Sequence, residues 1–396
     1  MRILIVSEVF WPEDFVINDL ACEWQKMGNH VEVVTQYPSY PHGFVFEGYD
    51  NHGETNENWD GIIIHRFPVI EGYRSSKFRK FANYIKFVRQ GRKIVKGIAN
   101  EFDVIFVSQT GPLTVALPAI YAKKTSKVDV AIWTQDIWPD VVWTYGIPNL
   151  KPIVWYLDRF IAKVYNSCDR IFVSSKSFAD NIIRYTTKDI DYAPNWLRPT
   201  QETLSDIKLD KSKFNFIFTG NVSRYQNLSN TVLGFGKARL ANCMLNIVGD
   251  GSFLDQVKKV VKEDDIKNVV FHGRKPYSTM NDILRQSDAL VLPLIADEGI
   301  CKTEPFKIQS YLHAGKPIMG ILFGSGKDII EENELGLVAR PDDINDIARV
   351  FMEMVDYTHK NGNGVSERAE TLMSTRFCRE KIINDIFKKL KKRHEI

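Results

Sequence analysis

The sequence predicts an α/β protein of two doubly wound domains, each a parallel sheet covered by helices on both faces. Three observations carry this. The chain has 396 residues, long for one hydrophobic core. Short apolar runs of strand length alternate with helical patterns, and the series occurs twice. Between the two series lies a polar segment, "APNWLRPTQETLSDIKLDKSK" at 193–213, with two prolines and no clear period, which reads as a linker.

In chain order, "ILIV" at 3–6 reads as a first strand, and Ile17, Leu20, Ala21 and Trp24 then share one face of a helix. Further strands are expected at 31–35, 61–67, 104–108, 129–134 and 170–175. After the linker the theme restarts at 214–220, 244–251, 269–273, 289–295 and 317–322. The expected boundaries are an N-terminal domain at 1–196, a second domain at 197–375 and a C-terminal helix at 376–396.

Composition narrows the function. Hydrophobic residues make up 44% and charged residues 26%, ordinary for a soluble globular chain. A net charge of +3 is too small to imply a nucleic-acid partner. The five cysteines are scattered without any CxxC spacing, which points to reduced cytosolic thiols and not to a zinc site. "MRILIVSEVFWP" reads as a strand and not a signal peptide, and no apolar run reaches the roughly 20 residues of a membrane span.

One stretch carries anion chemistry. "TEPFKIQSYLHAGKP" at 303–317 follows the apolar run 291–295, runs from Pro305 into a helical pattern and stops at Gly315. A strand, a loop and a helix start make a site for a phosphate, and Lys307 falls in the first turn, as a phosphate ligand or as an exposed helix lysine. In "TGNVSRYQN", Gly220 closes a strand and lets backbone approach a ligand, with Asn221, Arg224 and Gln226 on the loop behind it. Arg224 is there either a phosphate ligand or a solvated loop residue. Asp136 in "WTQDIWPD" stands just past a strand, at its carboxyl end. Held among Trp133, Trp138 and Trp143 it would resist ionisation and suit a base; an Asx-type cap before Pro139 is the plainer reading.

Eight motifs in order resemble the family-4 glycosyltransferases: "FWPEDFVINDLA", "YPSYPHGFVFEGY", "SQTGPLTVALPA", "QDIWPD", "PNW", "TGNVSRYQNL", "NIVGDG" and "PFKIQSYLHAGKPI". They run through most of the chain and are most similar to the capsule and O-antigen branch, L-fucosamine-transferase-like enzymes included. The resemblance implies the GT-B fold, two facing Rossmann-like domains with a cleft between them, and a final helix crossing back to the first. It implies a retaining, metal-independent transferase without cofactor, moving a sugar, an N-acetylated amino sugar from UDP by expectation, to a lipid-diphosphate-linked acceptor.

Residue by residue, the resemblance puts the donor against Gly220, Asn221, Arg224, Gln226, Gly249, Gly251, Arg274, Lys307, Gln309 and Ser310. The family's paired acids, a Glu and a second Glu eight positions on, fall on Lys302 and Ser310, so Glu298 is the substitute for the first and Glu304 a cap for the helix start. Asp136, Glu298 and Lys307 are then the catalytic candidates. Glu13, Asp14, Asn18, Tyr40, His42 and Trp138 are the acceptor candidates. Asp189 and Asp191 have a DxD spacing that reads as coincidence.

Residues 73–96 hold nine basic side chains and no acid, with Phe78, Phe81, Ile85 and Val88 at helical spacing. Such a helix either lies on an anionic membrane or packs its stripe on its own domain. The expected place is therefore the cytoplasmic face of the plasma membrane, peripherally bound. Two other functions fit: a nucleotide-sugar 2-epimerase, and a non-catalytic sugar-nucleotide-binding subunit.

Overall fold

The computed structural model describes residues 1–144 and 148–391. It contains two compact units, Met1–Pro194 together with the chain from Glu380 onward, and Asn195–Arg379.

The first unit runs β1 (Arg2–Ser7), α1 (Val16–Lys26), β2 (His30–Gln36), β3 (Thr55–Trp59), β4 (Ile62–Phe67), α2 (Lys77–Ile98), β5 (Val104–Gln109), α3 (Leu117–Lys123), β6 (Asp129–Thr134), α4 (Asp140–Thr144), α5 (Lys151–Ser167), β7 (Arg170–Val173), α6 (Lys176–Ile182) and β8 (Ile190–Tyr192). The sheet order is β3-β4-β2-β1-β5-β6-β7-β8, parallel throughout except for the β3–β4 hairpin. The order reverses between β1 and β5, so this sheet has its switch point there. In open α/β sheets, ligands bind outside the strands' carboxyl ends at that point.

The second unit runs β9 (Phe214–Thr219), α7 (Leu228–Ala238), β10 (Cys243–Val248), α8 (Leu254–Glu263), β11 (Val269–Gly273), α9 (Met280–Arg285), β12 (Ala289–Pro293), α10 (Glu298–Cys301), α11 (Lys307–Ala314), β13 (Ile318–Ile321), α12 (Ser325–Glu332), β14 (Gly336–Ala339) and α13 (Ile344–Thr375); α14 (Arg379–Lys391) follows. Its order is β11-β10-β9-β12-β13-β14, with the switch between β9 and β12. Central strands are apolar on both faces, as helix-covered parallel sheets require: β1 buries Ile3, Leu4, Ile5 and Val6 completely.

Two expectations change, and two open readings gain detail. The strands β3, β8 and β14 had no counterpart in the sequence reading. The segment 193–213 is not a free linker, because Ile207 and Leu209 are buried in the second unit's core. Asp189 stands just before β8 and Asp191 lies on it, paired with Lys389 of α14. The apolar stripe of α2 does not pack inward. Its buried residues are Asn83, Phe87, Gly91 and Val95, and Phe78, Phe81 and Ile85 are exposed.

Candidate active site

In the second unit the donor candidates gather at the switch point. β9 ends at Thr219, and Gly220 follows with φ +125°, in the region that favours glycine. A Cβ there would lie 2.7 Å from Cε of Lys307, so the absent side chain is what admits the lysine. Gly249, after β10, is as tightly placed: its Cβ would come 1.8 Å from the Gly220 carbonyl oxygen. Gly251 lies against the same loop, its Cβ position 2.4 Å from the Val222 carbonyl.

Lys307 opens α11. Its ammonium lies 3.9 Å from the centroid of the Phe218 ring and donates to Oε1 of Gln226. Burial pushes the ammonium well below its ordinary range, and among the described residues no carboxylate offsets this. A cation held in place without an acid is poised for an anionic ligand, which would restore its charge. The helix is held by Tyr311, whose hydroxyl donates to Val291 of β12 (3.1 Å) and accepts from the Thr219 amide of β9 (3.3 Å). The loop after β12 joins the same cluster, because the Ile295 amide donates to the Tyr225 carbonyl (3.0 Å).

Arg224 and Asn221 are exposed on the loop after β9, and Arg274 is exposed just past β11. Glu298 is exposed at the start of α10; Asp297 caps that helix, accepting from the Gly299 and Ile300 amides at 3.0 and 3.1 Å. Ser310 is half-buried on α11. Two assignments are corrected. Glu304 does not cap α11: it is buried and paired with Arg376 at 2.9 Å. Gln309 is buried and donates to the Asn195 carbonyl (3.2 Å), so its amide serves the fold and is not open to a ribose.

In the first unit, Asp136 stands past the end of β6. Its carboxyl is pushed up to about 7, first by burial and then by the charge of Glu8, against the opposing pull of Lys80. Glu8, the first residue past β1 and at the switch point, is likewise raised to about 7 by burial. Of the tryptophans expected around it, Trp133 donates to the Ala193 carbonyl (2.9 Å) and Trp138 packs against Phe160. Glu8 and Lys80 were missed. The signal that could have found Glu8 was its place just past the first strand of a doubly wound sheet.

Glu13 is corrected from the acceptor group. It is buried and its carboxylate accepts from the amides of Phe10 (3.1 Å), Ser39 (2.8 Å) and Tyr40 (2.7 Å), clamping two loops together. Asn18 donates to the Glu13 carbonyl (2.7 Å). Asp14, Tyr40 and His42 are exposed, and the Arg74 guanidinium lies over Tyr40, 4.5 Å from the ring centroid.

Comparison with known proteins matches each half of the chain. Residues 15–201 match the model of Glycosyltransferase Family 4, and residues 200–391 match Glycosyl transferases group 1. The probable glycosyltransferase WbjE of Pseudomonas aeruginosa is 25% identical over 246 residues, spanning 58% of this chain and 61% of that relative's length. Sucrose-phosphate synthase of Thermosynechococcus elongatus superposes with a TM-score of 0.74 at 14% identity, covering 100% of this chain and 99% of that one. HepE of Anabaena, solved in complex with UDP, superposes with a TM-score of 0.69 at 13% identity, covering 99% of this chain and 100% of that one. With one family model on each half and the GT-B fold throughout, the chain belongs to the family-4 glycosyltransferases.

Proposed function

We propose that the chain transfers a sugar from a nucleoside-diphosphate donor, UDP in the first instance, to a lipid-diphosphate-linked glycan during surface-polysaccharide synthesis. The observation that carries the donor half is Lys307: an ammonium disfavoured by burial, at a helix start, against Gly220 and, among the described residues, without an acid. As the anomeric C–O bond breaks, negative charge grows on the leaving diphosphate. Lys307, the first amides of α11 and exposed Arg224 supply fixed positive charge for it. The acceptor oxygen bonds to the anomeric carbon from the same face, with retention, and its proton passes to the departing phosphate oxygen. No metal enters this scheme. The bound UDP in the HepE structure supports the base. The resemblance of "KIQSYL", with Ser310 in place of an acid, to the L-fucosamine-transferase-like branch supports an N-acetylated amino sugar.

The acceptor half rests on α2. Phe78, Phe81 and Ile85 are 89%, 65% and 46% exposed on a helix with basic residues and no acid. Among the described residues no helix is long and apolar enough to cross a membrane. Such a helix lies in an anionic interface and keeps the enzyme beside a lipid-linked substrate. A thermal-shift screen over UDP-, GDP- and dTDP-sugars tests the donor, because a matched ligand raises the melting temperature. A shift with none of them contradicts the reading, and turnover of donor without any acceptor would favour an epimerase.

A further inference from the structure

The first unit turns a second aromatic helix face to solvent, on α5. Phe87 and Val95 of α2, Ala119 and Ile120 of α3, and Ile161 and Val164 of α5 share one core cluster, so these helices lie on one face of the sheet. On α5, Pro152, Trp155, Tyr156, Arg159 and Lys163 are exposed at helical spacing, opposite the buried Ile161, Val164 and Tyr165. Trp155 and Tyr156 are 59% and 66% exposed, and Leu150, just before the helix, is 56% exposed. The helix has one acid, Asp158, which accepts from the Tyr185 hydroxyl (2.6 Å). The Arg159 guanidinium lies over the Trp155 ring, 4.4 Å from its centroid. Between the two helices, short α3 holds Tyr121 under Arg92 of α2 (4.4 Å) and Lys124 (5.6 Å), so aromatic and basic side chains continue from α2 to α5. α1 joins β1 to β2, away from β5, which puts it on the other face. Along Val16–Lys26 it leaves no large apolar side chain exposed.

We propose that α5 is a second anchor, so that the first unit rests its α2–α3–α5 face on an anionic bilayer; the inference rests on the membrane reading of α2 above. Tryptophan and tyrosine favour the boundary between headgroups and acyl chains. Arg159 and Lys163 beside them reach the headgroup phosphates while their stems lie along apolar surface. Both helices run back along parallel strands of one sheet, so their outward faces meet a single plane. Packed neighbours stand about 10 Å apart, which sets α2 and α5, with α3 between them, roughly 20 Å apart. One anchored helix leaves the unit free to roll about that helix. A second, parallel to it, removes the roll and fixes which face meets the lipid. A second copy of the chain is the poorer occupant, because a two-fold contact would press this basic face against its own image.

The test uses the intact chain with vesicles of phosphatidylcholine, with and without phosphatidylglycerol, and a set carrying brominated acyl chains that quench tryptophan on contact. The wild type is expected to sediment with the phosphatidylglycerol vesicles and to lose fluorescence to the brominated chains. Trp155→Phe should still sediment but lose most of that quenching, although it removes only one of eight tryptophans. Trp155→Ser with Tyr156→Ser should weaken partitioning at least about ten-fold. Its melting temperature should stay within about a degree or two, since both side chains are exposed. Equal quenching in the wild type and Trp155→Phe, or equal partitioning of the double variant, overturns the proposal and leaves α2 as the sole contact. A wild type that sediments with neither vesicle overturns the α2 reading and this inference together. A dimer in analytical ultracentrifugation that the double variant dissociates overturns it in favour of a contact between copies.

Discussion

The ammonium of Lys307 lies 3.9 Å from the centre of the Phe218 ring, a residue on the strand whose end carries Gly220. Aromatic face, glycine and amide of Gln226 together hold a cation that burial disfavours. Such an arrangement is costly until an anion arrives, so its use is in binding one.

Gly220→Ala should disturb both fold and site. The new Cβ would sit 2.7 Å from Lys307 Cε on a backbone at φ +125°. Strain of about 1–3 kcal/mol is expected, visible as a melting temperature several degrees lower, with weaker UDP binding beside it. An unchanged melting temperature and affinity would mean that Lys307 has room elsewhere.

Glu304→Gln should destabilise the second unit by roughly 3 kcal/mol, because it leaves Arg376 beside a buried neutral amide. Urea denaturation measures this. A loss below about 1 kcal/mol would show that the pair is better hydrated than its burial implies.

The Glu8 and Asp136 carboxyls give stability a sign with pH. Both bind protons more tightly folded than unfolded, with values near 7 against ordinary values of 4.5 and 3.8. Their contribution is therefore complete at the acid end, declines as pH rises toward about 7, and is level above it. Lys80 and Arg74 oppose the trend through Glu8. Urea midpoints across that window should fall more steeply in the wild type than in the Glu8→Gln, Asp136→Asn double variant; parallel curves would refute the shifted values.

Replacing Phe78, Phe81 and Ile85 by Ser should abolish sedimentation with vesicles containing phosphatidylglycerol and leave the melting temperature within a degree or two, since all three are exposed. Equal sedimentation of wild type and variant would remove α2 from any membrane role.

How much of this was legible in the sequence depends on how far apart the partners stand. Gly220, Gly249 and the Pro305–Lys307 helix start could be read because strand end, glycine turn and helix onset are local signals. That Lys307 meets Gly220 and Gln226 follows once β9 and β12 are neighbours. Glu304 with Arg376, and Glu8 with Asp136, could not be read, because each pair meets only through the tertiary fold. Glu13 looked like a ligand because an acid in a loop is polar by type; three backbone amides had already claimed it. The strands β3 and β8 escaped because "TNENW" and "IDY" are polar edge segments, and β14 because "GLVA" has only four residues. On α2 the basic run was plain, but which apolar residues faced inward was set by the i, i+4 row Asn83, Phe87, Gly91 and Val95, two of them without apolar side chains.

The central claim is that Lys307 holds the diphosphate of a nucleotide donor. Calorimetric titration of UDP into the wild type and into Lys307→Ala tests it most directly. The expected result is saturable binding in the wild type and a loss of about 10- to 100-fold in the variant, the worth of one charge-assisted hydrogen bond to phosphate. Equal affinity in the two proteins would contradict the account.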